Sequence, residues 1–158
     1  MTDAADPPPL PANPLTLSDE DWRARLDPLA YEVLRRRGTE RAFTGEYWNE
    51  KRPGLYRCRG CGAPLFDAAA KYESGTGWPS FWQPVDPAAI HLKEDRTLWM
   101  RRTEVLCARC GGHLGHVFDD GPEPTGKRYC LNSAALRLEP ADPNEGGGAS
   151  VTAPRTEG

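Results

Sequence analysis

Apolar residues near the N-terminus recur three to four positions apart, which is the spacing of one face of a helix. They form two short stripes, Trp22 with Leu26 and Leu29 with Val33. Between the stripes, Asp27-Pro28 places an N-cap residue directly before a proline in the first turn of a helix. The pattern therefore predicts two short helices at the start of the folded unit.

The ends of these helices carry the expected signals. Ser18 and Asp21 have the spacing of a capping box at the start of the first helix. Gly38 is predicted to end the second helix, and Arg35 to Arg37 suit the negative end of its dipole. Charge runs usually lie on a solvated face. We therefore assign the three arginines only two roles, which are to complement the helix dipole and to face solvent.

From Gly54 onward the pattern changes to short β-rich runs separated by turn residues. The runs are LYRC, APLF, AIHLK, TLWMRR, EVLCA, HVF, RYCLN and ALRLE. The segment KEDRT, between the third and fourth runs, is typical of a hairpin loop. No helical pattern separates the runs, so parallel β-α-β units are not expected. The predicted fold class is mainly β, with antiparallel sheets and short N-terminal helices.

Composition limits the size and the setting of this unit. Residues 1–15 and 140–158 are rich in proline, glycine and small residues, so we predict disordered tails around one domain at 16–139. The chain shows neither a secretory signal nor a membrane span, so we expect a cytoplasmic protein. A monomer is our default for its oligomeric state. The net charge of −3 argues against a nucleic-acid partner.

Four of the five cysteines form two C-x-x-C pairs, each followed directly by glycine: Cys58 with Cys61, and Cys107 with Cys110. Two thiolates on one tight turn can hold a cation, and two such turns supply the four ligands of a closed structural zinc site. The 45 residues between the pairs mean that such a site joins distant parts of the sheet. Two redox-active dithiols, or buried free thiols, are the alternatives that the spacing leaves open.

The fifth cysteine, Cys130, has no partner in the sequence. His113 and His116 precede it, and the glycines and prolines between them are expected to fold the chain back sharply. Arg128 and a protonated His116 are expected to lower the pKa of the thiol, while the amide of Asn132 can donate a hydrogen bond. These residues predict a nucleophilic site. A cysteine buried in a strand is the alternative.

The segment SGTGWPSFWQP is rich in both glycine and aromatic residues. Its glycines make regular structure unexpected, and Trp78 and Phe81 could form the wall of a pocket for a small apolar group. The alternative is that these aromatic residues only cover the core.

Together, these motifs resemble those of a known enzyme family. GEYWN, YRCRGCGAPLF, SGTGWPSF, CARCGGHLGHVFDDGPEPTG and RYCLNS occur in the order found in the B-type peptide-methionine (R)-S-oxide reductases. The resemblance extends from about Ser18 to Glu139. It implies a fold of two antiparallel sheets called a β-tent, and reduction of the R epimer of methionine sulfoxide in oxidised proteins.

The resemblance also implies roles for individual residues. It makes Cys130 the nucleophile, which becomes a sulfenic acid when methionine is released, and it makes the four paired cysteines the ligands of one structural zinc. The other catalytic residues are His116, our choice of proton donor, with His113 and Asn132 beside it. The expected substrate-binding residues are Trp78, Phe81, Asp120 and Arg128.

Thr76 departs from the family pattern. Many members have a second, resolving cysteine at this position, and it forms a disulfide with the nucleophile. With the four paired cysteines committed to zinc, no other thiol remains beside Cys130. We therefore expect a one-cysteine cycle in which an external thiol regenerates the enzyme, either thioredoxin directly or glutathione followed by glutaredoxin.

Two other functions fit part of the pattern. A zinc-ribbon module that binds nucleic acid or protein would explain the paired cysteines, but it leaves HLGHVF and RYCLNS without a role. A zinc hydrolase would use His113-x-x-His116 as metal ligands, but it needs an open metal position, which four thiolates do not leave.

Overall fold

The computed structural model describes residues 16–95 and 102–141, in which two short α-helices precede nine strands. The helices are α1 (Asp19–Arg25) and α2 (Pro28–Arg36). The strands are β1 (Gly54–Cys58), β2 (Pro64–Asp67), β3 (Lys71–Tyr72), β4 (Ser80–Phe81), β5 (Ile90–Asp95), β6 (Arg102–Cys107), β7 (His113–Phe118), β8 (Arg128–Leu131) and β9 (Leu136–Pro140). The predicted N-terminal tail, most of the C-terminal tail and most of the run TLWMRR lie outside the described residues.

Both helices begin as the sequence predicts. Ser18 Oγ accepts a hydrogen bond from the amide of Asp21, and the Asp21 carboxylate accepts one from the amide of Ser18, both at 3.1 Å. Asp27 caps α2 by accepting from the amide of Ala30 at 2.8 Å. These caps satisfy amides that have no partner within the helix, which stabilises each helix by about 1 kcal/mol.

The end of α2 differs from the prediction. The left-handed residue is Arg37, with φ of 60°, and not Gly38. Arg37 forms an ion pair with Glu104 at 3.1 Å, and Arg35 donates to the carbonyl of Cys110 at 2.9 Å. The prediction that these arginines only complement the helix dipole and face solvent was therefore wrong. The physical reason is that α2 packs against β7, which brings the basic end of the helix onto the sheet.

The smaller sheet has the strand order β2-β1-β9, with both pairs antiparallel. It joins the first strand to the last, since Tyr56 of β1 lies opposite Leu138 of β9. The amide of Leu138 also donates to the hydroxyl of Tyr47 at 3.0 Å. The segment between α2 and β1 is thereby fixed against the end of the domain.

The larger sheet has the order β3-β4-β8-β7-β6-β5, and every neighbouring pair is antiparallel. The predicted mainly β class with two antiparallel sheets is therefore confirmed. Two local predictions were wrong. Ser80 and Phe81 form a strand despite the glycines around them, because pairing with β3 and β8 supplies hydrogen bonds that local propensity does not count. The strand β5 continues to Asp95, so Lys93 to Asp95 are not in a hairpin loop.

The core lies between the two sheets. Phe66 of the smaller sheet stacks on Phe81 of the larger one with ring centroids 4.7 Å apart, and Tyr56 meets Phe81 edge to face at 5.1 Å. All three side chains are fully buried. Burial of each contributes roughly 1.5 to 3 kcal/mol, so this aromatic cluster holds the sheets together.

The register of the larger sheet aligns four polar or reactive residues on adjacent strands. Glu104 lies opposite His116, His116 opposite Cys130, and Cys130 opposite Ser80. Residues directly opposite each other in antiparallel strands project to the same face. The sheet therefore brings His116 next to Cys130, although 13 residues separate them in the chain.

Candidate active site and cysteine cluster

Four sulfur atoms meet where the two C-x-x-C turns approach each other. The Sγ atoms of Cys58 and Cys110 are 3.7 Å apart, and those of Cys61 and Cys107 are 3.5 Å apart. All four lie within 4.8 Å of one another. A tetrahedral ion with metal–sulfur bonds of about 2.3 Å would place its sulfurs about 3.8 Å apart. Because all four residues are buried, the cluster fits a metal ion held away from solvent.

The two turns of this cluster share one hydrogen-bond pattern. The amide of Gly62 donates to the carbonyl of Cys58, and the amide of Gly111 donates to that of Cys107, both at 2.8 Å. The glycines have φ of 81° and 74°, in the left-handed region where a side chain causes strain. This is the physical reason that glycine follows each pair.

Three guanidinium groups surround the cluster, a feature that the C-x-x-C pattern does not predict. They donate to backbone carbonyls of the two turns at 2.9 to 3.0 Å. They belong to Arg35, Arg57 and Arg109. A divalent ion with four thiolates has a net charge of −2, so nearby cations reduce the electrostatic cost of burying it.

Cys130 lies in the wall of a cavity of about 110 Å³. The cavity brings together four of the predicted site residues, Trp78, His116, Cys130 and Asn132. Thr39 and Phe118, which no motif marked as site residues, also line it. The volume is enough for several water molecules, so it admits the end of a small side chain.

Gly115 also lines the cavity, but it does not form a turn as its sequence setting suggests. It lies inside β7, and a Cβ atom there would be 2.2 Å from the carbonyl oxygen of Cys130. That distance is far below any ordinary contact. Glycine is therefore required for β7 and β8 to approach closely behind the thiol.

A buried carboxylate holds each histidine of the HLGHVF motif. His113 Nδ1 lies 2.7 Å from Glu104 Oε2, and His116 Nε2 lies 3.0 Å from Asp95 Oδ2. Burial lowers the pKa of His113, and Glu104 acts in the opposite direction without overcoming it. His113 is thus neutral at pH 7. It is only 2% exposed, its ring centroid is 5.4 Å from that of His116, and it does not line the cavity.

No motif marked the two carboxylates that hold the histidines. Asp95 and Glu104 lie in β5 and β6, and their side chains are 6% and 1% exposed. A buried carboxylate is costly unless it is paired. The signal that could have found Glu104 is its place in the apolar run EVLCA, where an unpaired acid would destabilise the strand.

The surroundings of Cys130 differ from the prediction. Burial raises the pKa of Cys130 above its ordinary value, while Thr76 and Arg128 act in the opposite direction without overcoming it. The hydroxyl of Thr76 lies 4.0 Å from the sulfur. The prediction that positive neighbours lower the pKa of this thiol was therefore wrong, because the loss of water around the sulfur outweighs the nearby cation.

Glu40, which no motif marked, connects the aromatic and polar sides of the cavity. Its carbonyl accepts from the indole of Trp78, and its amide donates to Asn132 Oδ1, both at 2.9 Å. Its carboxylate accepts from the amides of Ser133 and Ala134 at 2.9 and 2.8 Å. One buried residue therefore fixes both Trp78 and Asn132.

Of the remaining predicted residues, Asn132 lines the cavity, whereas Phe81, Asp120 and Arg128 do not. Asn132 donates one amide hydrogen to a backbone carbonyl of β7 at 3.1 Å, which leaves the second hydrogen of that amide. Phe81 is fully buried in the core and is not in the cavity wall. Arg128 forms a two-point ion pair with Asp120, at 2.8 and 3.2 Å, beside the thiol.

Within residues 16–95 and 102–141, the four-cysteine cluster is the only group of three or more suitable side chains arranged to hold a metal ion. His113 and His116 are instead engaged by Glu104 and Asp95. This arrangement gives no support to a hydrolytic metal centre at the histidines. Across the same residues, none of the helices has the length and apolar character that crossing a membrane requires.

Comparison with known proteins gives a consistent result. A family model described as the SelR domain matches residues 26–140. A peptide methionine sulfoxide reductase MsrB from Thiobacillus denitrificans is 58% identical over 125 residues, which cover 79% of this chain and 95% of that protein. A protein of the same name from Leptospira interrogans is 55% identical, and the matched residues cover 77% of this chain and 93% of that protein. The chloroplastic peptide methionine sulfoxide reductase B1 of Oryza sativa is 57% identical over 124 residues. The matched residues cover 78% of this chain and 58% of the rice protein.

Proposed function

This chain belongs to the MsrB family and is a peptide methionine sulfoxide reductase, and we propose that it reduces the R epimer of methionine sulfoxide in oxidised proteins. The observation that carries the proposal is the placement of Cys130, His116 and Trp78 around one small cavity. A thiol, an imidazole and an indole are the nucleophile, proton donor and methyl contact that this reaction needs.

In the first step, the sulfur of Cys130 attacks the electrophilic sulfur of the sulfoxide. The sulfoxide sulfur accepts two electrons, its bond to oxygen breaks, and methionine leaves. The oxygen and one proton remain on Cys130 as a sulfenic acid. Because burial raises the pKa of Cys130, the reaction starts from a thiol, which brings its own proton into the cavity.

The sulfoxide oxygen needs a proton as its bond to sulfur weakens, and we assign His116 as the donor: its Nδ1 accepts the proton that Cys130 releases and passes it to that oxygen. Its Nε2 is held by Asp95 at 3.0 Å, while its Nδ1 has no hydrogen-bond partner among the described residues. His116 lines the cavity and lies opposite Cys130 in the register of β7 and β8. These positions support a proton transfer beside the attacking sulfur.

Selection of one epimer follows if the site contacts three parts of the sulfoxide at once: its methyl group, its oxygen and its sulfur. A sulfoxide sulfur is a stereocentre that carries a methyl group, an oxygen, a methylene group and a lone pair. We propose that Trp78 contacts the methyl group, His116 meets the oxygen, and Cys130 approaches the sulfur. Trp78 is fixed by its hydrogen bond to the carbonyl of Glu40, so its indole cannot easily accommodate the opposite configuration. Asp120 and Arg128 are proposed to contact the substrate at the edge of the site.

The test uses separated R and S sulfoxides of an N-acetylated methionine, with dithiothreitol as reductant. Cys130→Ser should lower turnover of the R sulfoxide by about 1,000-fold or more without changing the metal content or the melting temperature. Retained reduction in this variant would refute Cys130 as the nucleophile. Equal turnover of both epimers would refute the stereochemical assignment.

We further propose that the four-cysteine cluster holds one structural zinc ion. The cluster connects the turn between β1 and β2 with the turn between β6 and β7, so it joins the two sheets. Four thiolates would leave the ion no open position, so zinc would supply stability and not catalysis. Metal analysis of reduced protein should find one zinc per chain, and a metal-free folded protein would contradict the assignment.

For regeneration we propose a one-cysteine cycle. The hydroxyl of Thr76 lies 4.0 Å from the sulfur of Cys130, where a resolving thiol would otherwise be within reach. Two equivalents of an external thiol would instead convert the sulfenic acid to the thiol, releasing water and a disulfide. Thioredoxin is one candidate reductant, and glutathione followed by glutaredoxin is the other.

Mass spectrometry after a single turnover tests this cycle. The natural sequence should give a sulfenic acid or, with added thiol, a mixed disulfide on Cys130. The matched positive control is Thr76→Cys, which should form an internal disulfide with Cys130. An internal disulfide in the unmodified protein would contradict the proposal.

We also propose that the protein acts as a monomer in the cytoplasm. In the described residues all five cysteines are free, and the cycle depends on external thiols, as a reducing compartment provides. Light scattering of the purified protein and localisation of a tagged chain are the corresponding measurements. A stable dimer, or accumulation in another compartment, would overturn the respective assignment.

A further inference from the structure

Arg37 lies between the two carboxylates that hold the histidines of the site. Its Nε is 3.1 Å from Glu104 Oε2, and its Nη2 is 3.7 Å from Asp95 Oδ2. The same two oxygen atoms contact His113 and His116. One side chain therefore contacts both carboxylate–imidazole pairs.

The backbone at Arg37 indicates that this side chain is needed. Arg37 has φ of 60°, a conformation that favours glycine and that large residues rarely adopt. Strain of this kind persists where the surrounding structure requires it. Gly38 follows one position later, so glycine is present in the segment but does not occupy the left-handed position.

The charges around the histidines show what Arg37 can supply. Within the described residues, Arg37 is the one cationic side chain that pairs with Glu104, whereas Asp95 also pairs with Arg102 at 3.4 Å. Both carboxylates are almost fully buried. The described charged and titratable groups that face the two histidines are Arg37 after α2, Asp95 on β5, Arg102 and Glu104 on β6, and Cys130 on β8.

We propose that Arg37 is a positioning residue for the proton-handling histidines: its guanidinium contacts the carboxylates of Glu104 and Asp95, so that each carboxylate holds its imidazole in one orientation and His113 stays neutral. The effect on turnover rests on the proposed function, but the effect on His113 does not. Without Arg37, Glu104 is a buried anion without a cation, and the pair it forms with His113 binds a proton more readily.

Two further observations agree with this role. Arg37 contributes to the lowering of the pKa of His113, of which burial is the main cause. The Nε2 atom of His113 is buried and has no partner among the described residues. When Glu104 accepts from Nδ1–H, that Nε2 carries the lone pair, so protonation of the ring would place an unpaired N–H in the interior.

The test follows the imidazole signals of the full chain by NMR as pH is varied, in the unmodified protein and in Arg37→Gly, Arg37→Lys and Arg36→Met. Arg37→Gly suits the left-handed backbone, so it removes the guanidinium without adding strain. Arg36→Met is the matched control, because it removes one charge from the neighbouring exposed position. His91 is exposed on β5 and serves as an internal reference.

We expect Arg37→Gly to raise the titration midpoint of His113 by about half a pH unit or more, with His91 unchanged. Arg37→Lys should restore most of the midpoint, and Arg36→Met should not move it. Saturated turnover of the R sulfoxide at pH 7 should fall about tenfold in Arg37→Gly and recover partly in Arg37→Lys.

A midpoint of His113 that is equal in Arg37→Gly and Arg36→Met would overturn the proposal, whatever the activity. A shifted midpoint with undiminished turnover would overturn the positioning role. The proposed function fails separately, through retained activity of Cys130→Ser, and that result would leave the charge effect on His113 intact. Should Arg37→Gly not fold, Arg37→Asn also removes the cation and tolerates the left-handed backbone. A His113 midpoint in Arg37→Asn above that of Arg36→Met would support the proposal, and equal midpoints would reject it.

Discussion

Replacing Glu40 by glutamine should destabilise the protein and disturb both walls of the cavity. Glu40 is 3% exposed, and its two carboxylate oxygens accept from the amides of Ser133 and Ala134 at 2.9 and 2.8 Å. Glutamine offers one oxygen and one NH₂ group. Whichever way the side chain turns, its NH₂ group opposes a backbone N–H, so one buried amide loses its acceptor.

The size of the effect follows from these two contacts. A buried donor left unpaired costs about 1 to 3 kcal/mol, and the remaining hydrogen bond loses its charged acceptor, which costs about 1 kcal/mol more. We therefore expect the free energy of unfolding to fall by about 2 to 4 kcal/mol. For the roughly 120 described residues, unfolding entropies near 2.1 cal/mol/K per residue convert this into a melting temperature lower by about 8 to 16 °C.

Urea unfolding, followed by tryptophan fluorescence, measures this change. The matched control is Glu46→Gln, because Glu46 is exposed and pairs with Arg59 at the surface. That substitution should change the free energy of unfolding by no more than about 0.5 kcal/mol. In Glu40→Gln the slope against urea should stay the same, since the same surface is exposed on unfolding.

The activity of Glu40→Gln should fall as well, through the groups that Glu40 holds. Trp78 and Asn132 depend on its carbonyl and amide, so their positions change when the buried carboxylate is lost. The metal content should not change, since no cysteine contacts Glu40 in the described hydrogen bonds. Equal free energies of unfolding for Glu40→Gln and Glu46→Gln would refute the reasoning.

Three further predictions concern the thiol and the cysteine cluster. Gly115→Ala places a methyl group 2.2 Å from the carbonyl oxygen of Cys130, so urea unfolding should show a loss of about 1 to 3 kcal/mol together with a large loss of turnover, and unchanged stability would contradict this. Because burial raises the pKa of Cys130, its alkylation by iodoacetamide should stay slow at pH 8 and accelerate only in more alkaline solution. Arg128→Leu removes an opposing cation and should move the midpoint of that acceleration to higher pH, so a lower midpoint would count against the reasoning. Arg109→Met removes one donor to the cysteine turns, and zinc transfer to a chelator should become about tenfold faster. Arg23→Met, on the exposed face of α1, should leave the transfer rate unchanged, and equal rates for both variants would exclude the role of Arg109.

Local signals account for the parts of this protein that the sequence alone predicts. A helix start depends on a few neighbouring residues, as in the Ser18–Asp21 box and the cap at Asp27. The glycine after each C-x-x-C pair is equally local, because the turn needs a positive φ at that residue. These features follow from backbone geometry within four residues, so the amino-acid sequence is sufficient to predict them.

The predictions that failed depend on neighbours that are distant in the chain. The arginine run at the end of α2 looks solvated in sequence, yet Arg37 reaches Glu104, which is 67 positions away. Likewise Ser80 and Phe81 pair with residues about 50 positions later. No periodicity within a short window contains such contacts.

The properties of Cys130 depend on both the local sequence and the tertiary contacts. The sequence by itself determined that this cysteine stands apart from two C-x-x-C pairs and that histidines precede it. Only the tertiary structure decided the direction of its pKa, because desolvation depends on everything packed around the sulfur and here outweighs Arg128. Residue types and spacing are local properties of a chain, whereas burial and buried charge pairs exist only once distant strands have come together.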